Sequence, residues 1–250
     1  MKNSINFILQ GKGGVGKSFT TAILAQYFID EKNMDNIVVG DTDPVNTTTV
    51  KVKRLNADLI QITENSKVIQ SKFDPMFESM LTNSQNTFVI DNGASTFLPL
   101  IQYFNDNCVM DMFEDVEQDV YIHTIIVGGQ ALADTLQGFE ELKQLVKGSK
   151  VKLIVWINEF QGIPALENTP LIKTKFIEKN KDVIAGLVVI QDRKSDAFTT
   201  DIKELTEKSL TLKEALESEY FGLMAKSRLK RVFNDIYKQL DNIYNNENGE

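Results

Sequence analysis

Residues 11–18 read Gly-Lys-Gly-Gly-Val-Gly-Lys-Ser, and no other stretch of the chain limits its fold so tightly. The run meets G-x-x-x-x-G-K-[ST] at every fixed position. Phe7, Ile8 and Leu9 before it suit a buried strand, and Ala22, Ile23, Leu24 and Ala25 after it suit a helix. Glycines let the backbone curl until several amide hydrogens face inward, with no Cβ in the way. A helix that starts just afterwards points its positive end at the same spot. The expected ligand is a polyphosphate bound by Gly11, Lys12, Gly13, Gly14, Val15, Gly16, Lys17, Ser18 and Phe19. Lys17 is expected to bridge the β- and γ-phosphates, and the Ser18 hydroxyl to ligate Mg²⁺. Gly11, Gly13 and Gly16 also satisfy G-x-G-x-x-G, with Asp41 available as the acidic strand end of a dinucleotide site. That reading has no use for Lys17 and Ser18.

The rest of the chain repeats one alternation. Short apolar runs at 5–10, 37–41, 59–62, 87–91, 120–127, 151–157 and 183–190 read as strands. Helical patterns at 18–31, 74–82, 97–107, 130–147, 171–180, 198–207 and 211–218 separate them. Runs apolar on both faces suit buried parallel strands. The expected fold is an α/β, doubly wound, mostly parallel sheet with helices on both faces. A last helix over 223–244 carries Leu223, Leu229, Val232, Phe233, Ile236, Leu240 and Ile243 on one side, for packing on the sheet. One domain over 1–245 and a fraying tail at 246–250 are expected.

Two strand ends carry carboxylates: Asp41-Thr42-Asp43-Pro44 and Asp91-Asn92-Gly93-Ala94-Ser95. Alone, such aspartates read as turn formers or helix caps. Beside a phosphate loop, Asp41 and Asp91 become metal-site residues together with Ser18. Gly93 would let the backbone approach the γ-phosphate. Asn158 ends a later strand, where it reads equally as an adenine contact or a loop residue.

Net charge of -8 argues against a chain whose whole surface binds nucleic acid, so DNA contact would need the local cluster Lys226, Arg228, Lys230 and Arg231. That cluster also reads as a solvated helix face. One cysteine, Cys108, makes no internal disulfide; it is expected to be a small buried apolar residue in a cytoplasmic protein. The first apolar run is too short for a signal sequence. His123, inside an apolar strand, reads as a hydrogen-bonded core residue, and Trp156 as core.

The motif at 11–18 resembles the deviant Walker A box of the partition and cell-division ATPases, the ParA/MinD family, marked by the extra Lys12. The resemblance implies that Lys12 reaches across a nucleotide-sandwich homodimer to the partner's phosphates, and that Asp43 in switch I orients the attacking water. It also implies that Asp91 belongs to the Walker B strand and that Asn158 reads adenine. Further stretches look like the TraL/StbB branch, which is linked to conjugal transfer and plasmid stability. These include Asp41-Thr42-Asp43-Pro44-Val45-Asn46, Gly128-Gly129-Gln130-Ala131, Val155-Trp156-Ile157-Asn158-Glu159 and Arg228-Leu229-Lys230. The activity implied is that of a switch ATPase using ATP and Mg²⁺, with Lys12, Lys17 and Asp43 catalytic, dimeric with ATP and working with plasmid or conjugation proteins. Two alternatives share the fold: a phosphotransferase or amide synthase, and a nucleotide-binding scaffold with little turnover.

Overall fold

The computed structural model describes residues 1–43 and 46–246; Pro44, Val45 and residues 247–250 lie outside the description, as does the side chain of Asn246. The expected fraying tail therefore lies outside it, except that Asn246 ends the last helix.

The first strand, β1 (Ser4–Ile8), runs into the glycine loop and then α1 (Lys17–Gln26), which widens into a π-turn at Tyr27–Glu31. Next come β2 (Ile37–Asp41), α2 (Thr48–Lys51), β3 (Asp58–Leu59), a small hairpin of β4 (Thr63–Glu64) and β5 (Lys67–Val68), and α3 (Asp74–Thr82). Then follow β6 (Thr87–Asp91), α4 (Phe97–Asp106), α5 (Val109–Glu114), β7 (Asp119–Val127), α6 (Leu132–Val146) and β8 (Lys152–Asn158). A second hairpin, β9 (Ala165–Leu166) and β10 (Thr169–Pro170), precedes α7 (Phe176–Lys179), β11 (Ile184–Ile190), α8 (Asp196–Glu207), α9 (Leu212–Glu217) and α10 (Leu223–Asn246).

Seven strands form one sheet in the order β11-β8-β7-β1-β6-β2-β3, and every pairing in it is parallel. Parallel neighbours require crossovers, and the intervening helices cover both faces. Alternate residues therefore feed two separate cores. Phe7, Ile122 and Val155 pack toward α3–α6, while Ile8, Ile125 and Trp156 pack toward α1 and α8–α10.

α10 forms because its apolar residues recur at three- and four-residue spacing. Leu229, Phe233, Ile236 and Leu240 are all buried, each worth about 1.5–3 kcal/mol of removed apolar surface. The short α9 depends instead on a capping box, in which the Thr211 hydroxyl accepts from the Glu214 amide and the Glu214 carboxylate accepts from the Thr211 amide.

The two sheet edges are closed differently. β3 is only two residues long. At β11, the Gln239 side chain of α10 takes the place of a strand: the Val189 amide donates to its Oε1 at 2.7 Å, and its Nε2 donates to the Val189 carbonyl at 3.1 Å.

Several expectations fail locally. The run at 59–62 pairs only through Asp58–Leu59, because the β4–β5 hairpin begins at Thr63. The helix expected over 171–180 shrinks to a 3₁₀ turn at Leu171–Lys173 and α7, since Pro170 and the hairpin fix the chain's entry. Leu223, expected on the packed side of the last helix, is exposed because it is that helix's first residue, and Cys108 is exposed rather than buried. It sits left-handed, at φ 50°, in the turn between α4 and α5, a turn that the apolar pattern on either side hides. Among the described residues, no helix is long and apolar enough to cross a membrane.

A fully buried polar cluster ties α10 to the middle of the sheet. The Trp156 indole N–H donates to His123 Nδ1 at 2.9 Å, so the imidazole proton sits on Nε2 and points at Asn6 Oδ1, 3.2 Å away. The Tyr244 hydroxyl donates to the same Asn6 oxygen at 2.7 Å. The Asn6 amide nitrogen donates to Ser4 Oγ and the Phe88 carbonyl. Burial pushes the His123 imidazole down to about 3, which keeps it neutral. The core readings of His123 and Trp156 both hold.

Candidate functional site

β1, β6 and β2 lie side by side with Ile8, Asp91 and Asp41 in register. Their carboxyl ends therefore deliver the glycine loop and both strand-end aspartates to one edge, the usual ligand side of an open α/β sheet. A cleft of ≈ 380 Å³ opens there, lined by Gly13, Gly14, Lys17, Ser18, Asp43, Asn46 and Thr48 among others.

The loop ends at Gly16, whose φ of 102° only glycine adopts without strain, and a Cβ there would also strike the Asn158 amide at 2.9 Å. Among the described residues, no side chain caps the start of α1. Its first amides thus keep the unsatisfied donors that every helix N-terminus presents. Lys17 Nζ donates to the Lys12 carbonyl at 3.0 Å. Burial lowers the Lys17 pKa, and the nearby charges of Asp91 and Asp43 oppose that shift.

The two strand-end carboxylates are buried almost completely, with Asp41 at 0% and Asp91 at 2% exposure. Burial raises both, Asp41 to about 6, and the Asp43 amide bonded to Asp41 Oδ1 at 2.9 Å only partly offsets this. Asp91 receives the Thr49 hydroxyl at 2.6 Å, and contacts to Ser18, Thr21 and Lys17 favour its charge. Asp41 Oδ2 meets no hydrogen-bond partner among the described residues. A buried carboxylate oxygen left without a donor is costly, so it marks a position built for something else. Hard oxygens here suit Mg²⁺. The described residues hold no cluster of three or more His, Cys, Asp or Glu arranged for a metal. That donor set fits an ion completed by waters and phosphate oxygens rather than caged by protein.

The other predicted residues take definite places. Asp43 accepts the Asn46 amide at 2.9 Å on Oδ1. Gly93 serves it: a Cβ on Gly93 would lie 2.8 Å from the Asp43 carboxyl carbon, whereas its φ of -60° needs no glycine. Asn158 binds the loop itself, with Nδ2 donating to the Val15 carbonyl at 3.0 Å and Oδ1 accepting the Phe160 amide at 3.2 Å. Phe19 packs half-buried against the core. Lys12 folds back within its own chain, with Nζ 2.7 Å from Asp134 of α6. In the C-terminal basic cluster, Arg228 forms a two-pronged pair with Asp201, whereas Lys230 and Arg231 are exposed.

Four participants were not singled out from sequence. Thr49 holds Asp91, Asp134 holds Lys12, and Gln161 donates to the Gly14 carbonyl. Gln10 braces the loop's start against β7 and α6 through the Ile125 and Thr135 carbonyls. Only Thr49 left a trace, as one of three threonines following the Asp41 strand end.

The CobQ/CobB/MinD/ParA nucleotide binding domain matches residues 7–244. Two Escherichia coli proteins, each called Protein TraL, are 34% and 33% identical to the chain; each match covers 95% of this chain and 97% of the relative. MinD cell division protein from Aquifex aeolicus has the same fold, with a TM-score of 0.50 at 14% identity over 95% of this chain and 96% of that one. The same organism's MinC:MinD cell division protein complex gives 0.51 at 13% identity over 95% of each. On the phosphate loop, the parallel sheet and a match spanning nearly its whole length, this chain belongs to the CobQ/CobB/MinD/ParA family of nucleotide-binding proteins, within its TraL-like branch.

Proposed function

We propose that the chain is a Mg-ATP-dependent switch ATPase that pairs with a second copy when ATP is bound. One observation carries this reading: an uncapped helix start and a buried lysine open on a single cleft, and two desolvated carboxylates sit against its lining, Asp91 with Ser18 and Lys17 and Asp41 with Asp43. Such a group of donors and acceptors is stable only when a polyanion and a cation fill it.

In this reading Gly11, Gly13, Gly14, Val15, Gly16 and Phe19 supply the amides around the phosphates. Lys17 exchanges the Lys12 carbonyl for phosphate oxygens. Ser18, Asp91 and Asp41 hold the Mg²⁺, which supplies positive charge to the transferring phosphoryl group. Asp43, placed by Gly93, orients the attacking water. Asn158 releases the Val15 carbonyl to read adenine. Lys12 leaves Asp134 for the phosphates of the second copy, a charge-assisted contact that exists only with nucleotide. Membership of the TraL-like branch supports a role with plasmid or conjugation proteins, and the cytoplasm is the compartment this reading expects. Non-specific DNA contact would fall to Lys226, Lys230 and Arg231, because Arg228 is held by Asp201.

Molecular mass and phosphate release, measured with ADP, ATP and a non-hydrolysable ATP analogue, test the proposal. Doubling of mass with the analogue and with ATP but not with ADP, and slow phosphate release with ATP, are expected. An unchanged mass in every case would remove the dimer, and Mg-ATP binding without phosphate release would leave a scaffold.

A further inference from the structure

Thr49 belongs to α2, a four-residue turn that begins just past the Asp43 segment. Its side chain is fully buried, and its hydroxyl donates to Asp91 Oδ2 at 2.6 Å. Its amide lies close enough to Asp41 to favour that carboxylate's charge. One residue of α2 thus touches both strand-end aspartates. Its neighbour Thr48 lines the cleft. On the other side, α2 hands the chain to a 3₁₀ turn at Lys53–Leu55, whose Arg54 pairs with Asp30. From Thr49, bonded to Asp91, to Arg54 in that outer ion pair the chain is two short helical turns joined at Val52.

We infer that Thr49 is a positioning residue that couples the cation bound at Asp91 to the placement of α2. The inference rests on the nucleotide reading above and adds to it the route by which the site reports its state. A short hydroxyl–carboxylate bond is of the strong, charge-assisted kind and fixes the rotamer of Asp91. A dication needs that carboxylate already oriented, so Thr49 favours the cation by pre-organising Asp91, and a bound cation in turn favours the arrangement in which α2 is held. Linkage is reciprocal: if the cation changes how α2 is held, the hold on α2 changes cation affinity by the same factor.

The test compares Thr49→Val and Thr49→Ser with the unaltered chain. ATP affinity is measured by calorimetry with and without Mg²⁺, and amide hydrogen exchange is followed over residues 48–52. Thr49→Val is expected to bind metal-free ATP normally. Its tightening by Mg²⁺ should shrink about tenfold, the effect of one lost charged hydrogen bond. Mg-ATP should no longer change exchange over α2, and Thr49→Ser should restore both effects. Normal Mg²⁺ tightening in Thr49→Val would overturn the coupling. So would loss of metal-free ATP binding, which would make Thr49 merely structural. Failure of the unaltered chain to bind ATP would instead overturn the nucleotide reading.

Discussion

Two buried polar groups of residues lie in the same sheet, and they are completed to different degrees. Around His123, Trp156, Asn6 and Tyr244, every donor has an acceptor and the one titratable ring is neutral. Around Asp41, Asp91 and Lys17, charges are desolvated together, one carboxylate oxygen has no partner among the described residues, and the helix start is uncapped. The first group fastens α10 to the strands. The second tolerates its own discomfort because a ligand relieves it. Within one protein, satisfied buried polarity marks architecture, and unsatisfied buried polarity marks a site.

The contrast is open to breakage at several points. Lys17→Ala should weaken Mg-ATP binding at least about 100-fold by calorimetry, since it removes a buried charge from the phosphate cleft, while leaving the urea midpoint nearly unchanged. His123→Leu should do the reverse. It strands the Trp156 N–H and should cost about 3 kcal/mol in urea unfolding, with ATP affinity within about twofold of the original. Equal effects on stability and binding in either variant would erase the distinction.

Asp41→Asn should stabilise the ligand-free protein at pH 7 by about 1–3 kcal/mol and weaken the Mg²⁺ dependence of ATP binding. The sign follows from the shift. Asp41 is raised to about 6, so between about pH 4 and 6 its folded form holds a proton that the unfolded chain has released, and by pH 7 it carries a charge that burial opposes. Ligand-free stability is therefore full below about pH 4 and falls as pH rises through about 6. His123 runs the other way: its ring is held at about 3 against 6.5, so stability is lost as pH falls from about 6.5 toward 3. Urea midpoints across this range, with each variant subtracting one slope, would sharpen the assignment; matching slopes would refute it. The smallest effect belongs to the exposed Lys12–Asp134 pair. Asp134→Ala should change stability by under about 0.5 kcal/mol, yet should free Lys12 and lower the ATP concentration needed for dimerisation, as read by sedimentation.

Much of this was legible in the residues themselves. The glycine loop, the apolar runs of β1, β2, β6, β7, β8 and β11, and the two strand-end aspartates depend on local pattern, and the structure assembles them as that pattern implies. What stayed hidden depends on contacts across long stretches of chain. Asp134 meets Lys12, and Gln161 meets Gly14, only after the sheet has ordered its strands. Gly93 also makes room for the Asp43 side chain, a use of its missing Cβ that no spacing rule discloses. Cys108 was misplaced because hydrophobicity describes a side chain's preference, whereas its position was set by a left-handed turn.

Gln239 has a consequence for how copies of this protein meet. By occupying the main-chain groups of Val189, it denies a neighbouring molecule the hydrogen bonds needed to extend the sheet there, and at the far margin β3 offers only two residues to grip. Lateral zippering into a continuous ribbon is thereby discouraged on both flanks. The proposed ATP-dependent pairing would instead use the end where the strands point their carboxyl termini, so that it would answer to what lies in the cleft rather than to bare backbone.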